Sequence, residues 1–245
     1  MDFVAAIRAY ADNFSTALAF ALLLVFVLPF GAISNSFISS GTVLLGYGFL
    51  NQPLLDSIIL LLLATVFLFF YSILICLMVL AVRRDVSSVK TNYYLSEKIH
   101  KFAVKYFKFL AVFTIICALL SSVLVELNVP IVLVNVVIFA LSAIFLFLPQ
   151  TIVVDEEGLG ASILTNWEFI AKNVPSFVFL LLFGIFSVFV VVVFEFAVDY
   201  FFAFGSFISL LFSLVVLVPF LEVLKTMIYM KRFSIIERYE NQASH

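Results

Sequence analysis

Ser57-Ile-Ile-Leu-Leu-Leu-Leu-Ala-Thr-Val-Phe-Leu-Phe-Phe-Tyr-Ser-Ile-Leu-Ile-Cys-Leu-Met-Val-Leu-Ala-Val82 runs for 26 residues without a charge and is closed at once by Arg83-Arg84. About twenty apolar residues in helical form cross the ~30 Å of a bilayer's hydrocarbon. This run is long enough to do so, and Arg83 and Arg84 mark where it leaves the lipid. Five further runs of the same kind surround it, so the expected spans fall at about 14–33, 57–82, 107–125, 130–149, 176–198 and 206–229. None carries Lys or Arg in its central part.

The composition agrees with that reading. Of 245 residues, 65% are hydrophobic and 11% charged, whereas a soluble domain is nearer half apolar and a quarter charged. A soluble enzyme, a nucleic-acid binder and a disordered chain are excluded. The expected fold is an all-α integral membrane protein, a single polytopic domain over residues 1–245. Cys76 and Cys117 lie inside apolar runs and read as small packing residues. No small-residue cleavage pattern follows the Leu18–Leu28 run, so the first span is expected to be retained.

Proline punctuates the spans. Pro53, Pro130 and Pro175 stand at expected helix starts, where a missing N–H costs nothing. Pro29, Pro149 and Pro219 stand near span exits, where a break is tolerable. Gly31, Gly41, Gly46 and Gly48 crowd the first connection, which reads as a loop with an apolar centre, Val43 to Phe49, dipping into the interface. Glu126-Leu127-Asn128-Val129 leaves spans three and four as a tight antiparallel hairpin.

All 13 Lys and Arg fall on one side of this layout: Arg8, seven in the second connection, Lys172, and four beyond residue 224. Basic residues accumulate on the cytoplasmic side. The expectation is a multi-pass protein of the cell membrane with both termini cytoplasmic. Each cytoplasmic segment also carries a helical apolar stripe. In the second connection Leu95, Ile99, Phe102, Ala103, Tyr106 and Leu110 share one stripe, and Lys98, Lys101, Lys105 and Lys108 another. Such a helix is expected to lie on the membrane with its lysines toward headgroup phosphates, so these four are candidate contacts for anionic lipid. In the fourth connection, Asp155-Glu156-Glu157 reads as a solvated helix start. Ile163, Leu164, Trp167, Ile170, Ala171 and Val174 follow as an apolar face. Residues 4–13 match 164–173 in their Ala-x-Asn ending. The chain therefore reads as amphipathic cytoplasmic elbow helices, each feeding a transmembrane hairpin, three times over.

Phe147-Leu148-Pro149-Gln150-Thr151-Ile152-Val153-Val154-Asp155, with Gly158, Ala161-Ser162, Asn166-Trp167-Glu168-Phe169-Ile170 and Asn173, resembles a segment of a loose membrane-protein family. That family is the multispanning domain attached to some glycerophosphoryl diester phosphodiesterases, with its standalone prokaryotic relatives. The likeness covers about thirty residues plus the layout. It implies the six-span architecture and no activity, because in the fused proteins hydrolysis belongs to a separate soluble domain.

Chemistry-bearing residues are sparse. His100 and His245 are the two histidines, and no metalloprotease, nucleophile-elbow or phosphate-loop motif occurs. Neither an enzymatic activity nor a cofactor is expected. Asp56, Glu126, Glu195 and Asp199 are the ionisable groups of the outer side, all acidic. Glu195 and Asp199 are one helical turn apart, and with Glu126 they form a candidate cation or proton site. Asn135, Ser121, Ser122 and Ser142 read as hydrogen bonders between helices, and Glu222 with Lys225 as a snorkelling pair. The 32 phenylalanines read as packing and lipid-facing bulk.

The leading functional expectation is a non-enzymatic membrane-organising or accessory subunit. The second is a small permease or lipid transporter. Expected partners are the lipid bilayer, anionic lipids, and a protein partner or second copy, with no nucleic acid.

Overall fold

The computed structural model describes residues 3–34, 37–39, 41–44, 53–87, 95–202 and 204–233. Six of its helical stretches are long and apolar enough to cross a membrane: Phe14–Ser34, Leu54–Asp85, Lys98–Glu126, Ile131–Val154, Val174–Phe201 and Gly205–Met230. The chain is a multi-pass helical membrane protein. Helices suit lipid because every backbone group finds its partner within the segment.

A short helix α1 (Phe3–Asp12) precedes span one, which is built from α2 (Phe14–Ala19), a 3-10 turn (Phe20–Leu23) and α3 (Leu24–Ser34) with Pro29 inside. A small hairpin follows, β1 (Phe37–Ser39) antiparallel to β2 (Thr42–Leu44), with Ser39 opposite Thr42. The rest of that connection up to Gln52, including most of its apolar centre, lies outside the described residues. Span two is α4 (Leu54–Ser87), and span three belongs to α5 (Leu95–Glu126). A tight turn with Asn128 at φ 58° leads into α6 (Ile131–Ile144), as the short Glu126–Val129 connection requires. Span four continues after a break as α7 (Leu148–Val154). Then come α8 (Leu159–Lys172), α9 (Val174–Phe201), and span six as α10 (Gly205–Phe212), a π turn (Ser213–Leu217) and α11 (Val218–Met230).

Span four is thus interrupted, whereas span six stays helical through a π turn, and in each a proline stands in the first turn that follows, Pro149 in α7 and Pro219 in α11. That position needs no N–H, but a break inside hydrocarbon frees backbone groups that must be met. At the span-four break, Asn166 of α8 meets two of them. Its Nδ2 donates to the Ile144 carbonyl at 2.7 Å, and its Oδ1 accepts from the Phe147 N–H at 3.0 Å. At the π turn of span six, Pro219 cannot donate to Val215, four residues before it. The Tyr10 hydroxyl of α1 donates to that carbonyl at 3.0 Å.

Two asparagines make matching joints. Asn13 lies between α1 and α2, and Asn173 between α8 and α9. Each leaves helical geometry (φ −107°, ψ 20° and φ −128°, ψ 41°). Each donates its side-chain amide to the carbonyl four residues back, Ala9 at 2.9 Å and Phe169 at 3.0 Å. Asn13 also donates to Asp85 at the end of α4, at 2.7 Å.

The core gathers where spans two, four and six approach their basic ends. Ile75, Met78 and Val79 of α4 pack there with Leu148 and Ile152 of α7 and with Val223 and Leu224 of α11. Phe147, Phe169 and Tyr229 close it as a ring cluster, with centroids 4.8 and 4.6 Å from Phe169. By contrast α6 buries only Val134 and Ala143, and α9 only Leu180, Ser187 and Val191. Their outward faces are apolar (Val132 72% and Phe196 77% exposed), a surface that suits lipid.

The second connection differs from the expected surface helix. From Leu95 its helix runs unbroken into span three as α5, and Phe102, Ala103 and Tyr106 are buried in the core. The apolar stripe meets protein there: the Ser72 hydroxyl of α4 donates to the Ala103 carbonyl at 3.1 Å. A stripe of that width buries equally well against a neighbouring helix or a bilayer, and periodicity does not distinguish the two.

Candidate functional site

Among the described residues, cavities open between the spans, and a larger and a smaller one bear on function. The larger, about 610 Å³, is walled by Tyr71 of α4, Phe139 of α6, Leu180 to Val188 of α9, and α11. Glu222 and Lys225 are its two charged lining residues. The smaller, about 410 Å³, lies between Phe26 and Phe30 of α3, Leu63 of α4 and Leu214 of the π turn, with Gly41 and Thr42 of the hairpin at its margin. Tyr71 and Val218 line both. Volumes of this size are typical of small-molecule sites, as are mostly apolar walls with a few polar groups.

Glu222 and Lys225 are buried, at 4% and 8% exposure, and ion-paired. This corrects the snorkelling pair expected from sequence. Snorkelling needs a clear run to water, and here the neighbouring helices close over both side chains. Gln150, fully buried on α7, donates from Nε2 to Glu222 Oε2 at 2.9 Å and to Thr226 Oγ1 at 3.4 Å. Its Oε1 is buried without a hydrogen-bond partner. The Thr226 hydroxyl donates to the Glu222 carbonyl at 2.7 Å. The cluster arises from the break of span four and the π turn of span six, because Gln150 follows Pro149 directly and Glu222 follows Pro219 by three residues. That spacing, a polar residue within one turn after an intra-span proline, is the sequence signal that could have singled out Gln150.

At the end opposite the basic one, Glu195, Asp199 and Glu126 take separate places. Glu195 accepts from the Ser209 hydroxyl at 2.6 Å and the Ser39 hydroxyl at 3.2 Å. Asp199 accepts from the Gly205 N–H at 2.7 Å, holding the first turn of α10. Glu126 is exposed at the end of α5. Among the described residues, no three His, Cys, Asp or Glu side chains are placed to hold a metal ion. Gly41 fits where no other residue would: its φ is +70°, and a Cβ there would overlap Ser213 Oγ. The Gly41 N–H donates to Ser209 Oγ at 3.2 Å, so one serine joins hairpin, α10 and Glu195.

The basic end is laced by the acidic triplet. Glu156 pairs with Lys98 at 2.5 Å and Arg83 at 3.2 Å. Asp155 accepts from Arg232 at 2.7 Å and from the Tyr229 hydroxyl at 2.5 Å. The Glu157 carbonyl accepts from Lys105 at 2.9 Å. Burial alone would raise the Glu156 pKa, but the hydrogen bonds and charges of Lys98 and Arg83 outweigh it and hold the carboxyl below its ordinary value. Of the four lysines read as lipid contacts, Lys98 and Lys105 are therefore engaged by this loop, while Lys101 and Lys108 are exposed. The triplet, expected as a solvated helix start, is a clasp joining spans two, three, four and six.

The residues read as inter-helical bonders also differ. Ser121, Ser122 and Ser142 each donate to the carbonyl four residues back in their own helix, at 2.8 to 2.9 Å. Asn135 is exposed on the outer face of α6. Polar residues that do join elements include Tyr10, Asn13, Ser72, Gln150, Asn166 and Ser209. Comparison with family models, with curated proteins and with solved structures finds no match.

Proposed function

We propose that this protein is a non-enzymatic lipid-handling permease that admits a membrane amphiphile sideways into its larger cavity. One observation carries the reading. An apolar chamber of about 610 Å³ holds a buried ion pair at one end, while wall residues Phe139, Ile185 and Val188 are 51%, 56% and 50% exposed on the lipid-facing surface. The exposed wall supplies a lateral window between α6 and α9, and the charged end supplies a place for a polar head. A discontinuous helix beside a buried polar cluster is also the arrangement by which many transporters hold a substrate.

The same reading places the basic end, with α1, α8 and both termini, in the cytoplasm of a cell-membrane protein. It also takes the chain as three elbow-plus-hairpin units. Support comes from the way each of these helices meets the second span of a hairpin other than the one it feeds. Ala103 of α5 meets Ser72 of span two, Asn166 of α8 meets the break of span four, and Tyr10 of α1 meets the π turn of span six. Lys101 and Lys108 then remain as candidate anionic-lipid contacts.

Filling the chamber tests the function. Nothing lies within 4 Å of a Cβ built on Gly184, which lines the cavity, so Gly184→Phe enters open space. In proteoliposomes, the parent should accelerate transbilayer movement of a fluorescent lipid, and Gly184→Phe should remove most of that rate. A parent no faster than empty liposomes would sink the permease. The accessory-subunit reading is favoured by one feature, the peripheral α6 with Asn135 exposed on its apolar face. A stoichiometric protein partner that is lost on Asn135→Leu, with no lipid movement, would establish it instead.

A further inference from the structure

We infer that the larger chamber takes a zwitterionic lipid whose head carries a primary ammonium and a phosphate, the phosphoethanolamine class. The inference rests on the lipid-handling reading and names its ligand.

Charge balance is the first argument. The charged lining residues are one carboxylate and one ammonium, Glu222 and Lys225, on successive turns of α11. Both are more than nine-tenths buried and paired with each other. A head of net charge would bring an unbalanced ion into a poorly solvated site, whereas a zwitterion laid against the pair leaves the sum at zero. Ammonium then faces Glu222 and phosphate faces Lys225.

Unused hydrogen-bonding capacity is the second. An ammonium has three donors, and among the described residues Lys225 is engaged by Glu222. Two of its N–H groups remain for phosphate oxygens. On the other side, Gln150 Oε1 is a buried acceptor with no partner, on the same amide that donates to Glu222. Gln150 stands behind Glu222 and does not itself line the chamber, so the donors of a primary ammonium meet Glu222, the acceptor that the chamber presents. A quaternary choline carries none, so the site distinguishes two heads of equal net charge.

Shape is the third. The lining runs from Lys225 to Leu217 along α11 and from Leu180 to Val188 along α9, about 12 Å at the helical rise. Its charges stand at the basic end and its remaining length is apolar. A lipid head therefore sits toward the basic end with one chain extending toward the membrane middle. The exposed Phe139, Ile185 and Val188 leave the second chain in the bilayer.

The test uses the full chain reconstituted in vesicles of equimolar phosphoethanolamine, phosphocholine and phosphoglycerol lipids with identical acyl chains. The protein is extracted in mild detergent, and bound lipid is counted by mass spectrometry. Phosphoethanolamine should be enriched about tenfold over phosphocholine, the difference expected when charge-assisted hydrogen bonds are available to one head only. The Glu222→Gln, Lys225→Met double variant removes both charges together. It should keep bound lipid but lose the preference, and its melting temperature shows whether the bundle is intact. Gly184→Phe should lower all three lipids alike. Equal retention of the three heads by the parent would overturn the zwitterion inference while leaving the lipid reading standing if Gly184→Phe still empties the chamber. Enrichment of phosphoglycerol would overturn it in favour of a net anion at Lys225. Retention unaffected by Gly184→Phe would overturn both.

Discussion

Asn166 lies in the amphipathic run of α8 and Asn135 alone among the apolar residues of α6, and the structure assigns these two amides opposite energetics. Asn166 is 1% exposed and bridges the break between α6 and α7 with two hydrogen bonds. Leucine has the same branched heavy-atom skeleton but is bulkier, so Asn166→Leu removes both bonds without opening a cavity. It strands the Ile144 carbonyl and the Phe147 N–H. A buried backbone group left without a partner costs about 1–3 kcal/mol, so the pair sets an upper range of about 2–6 kcal/mol. Polar groups in a membrane-unfolded chain find other partners, and measured inter-helical bonds there average about 0.6 kcal/mol, which sets a lower bound near 1. A loss of about 2 kcal/mol is expected between these limits. The assay is reversible unfolding in mixed micelles, titrated with a denaturing detergent and followed by helical circular dichroism. Asn135→Leu, on an exposed face, should stay within about 0.5 kcal/mol of the parent. Equal effects of the two substitutions would refute the claim that a side chain of α8 completes span four.

Three further outcomes follow from the same geometry. Tyr10→Phe should destabilise by about 1 kcal/mol in that assay, and by clearly less in a Pro219→Ala background, where a backbone N–H becomes available to Val215. Glu156 has a lowered pKa in the folded state, so its contribution is complete at neutral pH, declines once pH falls below the unfolded value near 4.5, and is gone below the lowered one. A thermal scan against pH should show Glu156→Gln lacking that part of the acid loss, about 0.2–1 kcal/mol for each partly exposed pair. For orientation, single cysteines at Ser39 or Thr42 in a Cys76→Ala, Cys117→Ala background should react with an impermeant thiol reagent from outside, and cysteines at Lys101 or Lys108 should not.

The span layout was legible because hydrocarbon thickness imposes a length that composition reports directly. The Pro130 and Pro175 starts and the turn at Asn128 were legible for the same local reasons. Lateral packing was not. Lipid tails and helix surfaces are equally apolar, so hydropathy cannot say which face of a span meets a neighbour. That is why Phe102, Ala103 and Tyr106 read as a membrane-facing stripe although they pack on protein, and why Glu222 and Lys225 read as reaching water although helices cover them. The surroundings of the candidate carboxylates were not legible for a related reason. Glu195 and Asp199 do share a turn of α9, but the groups that bind them come from Ser39, Ser209 and Gly205, whose proximity depends on the folded hairpin and the α9–α10 turn.

The break of span four and the π turn of span six connect these observations. A straight span has no use for a buried carboxylate or amide, because its backbone is already satisfied and its neighbours are apolar. Breaking span four and widening span six into a π turn does two things at once. It frees Ile144, Phe147 and Val215, which Asn166 and Tyr10 must then reach from helices at the basic end. It also places Gln150 and Glu222, 2.9 Å apart, in the turns that follow, with Glu222 lining the larger chamber and Gln150 behind it. The elbows and the polar cluster are therefore two sides of one construction, and loosening an elbow should disturb the ion pair. Asn166→Leu provides the means to see it: if the break and the π turn position Gln150 and Glu222, that variant should lose head-group preference as well as stability, although Asn166 itself does not line the chamber.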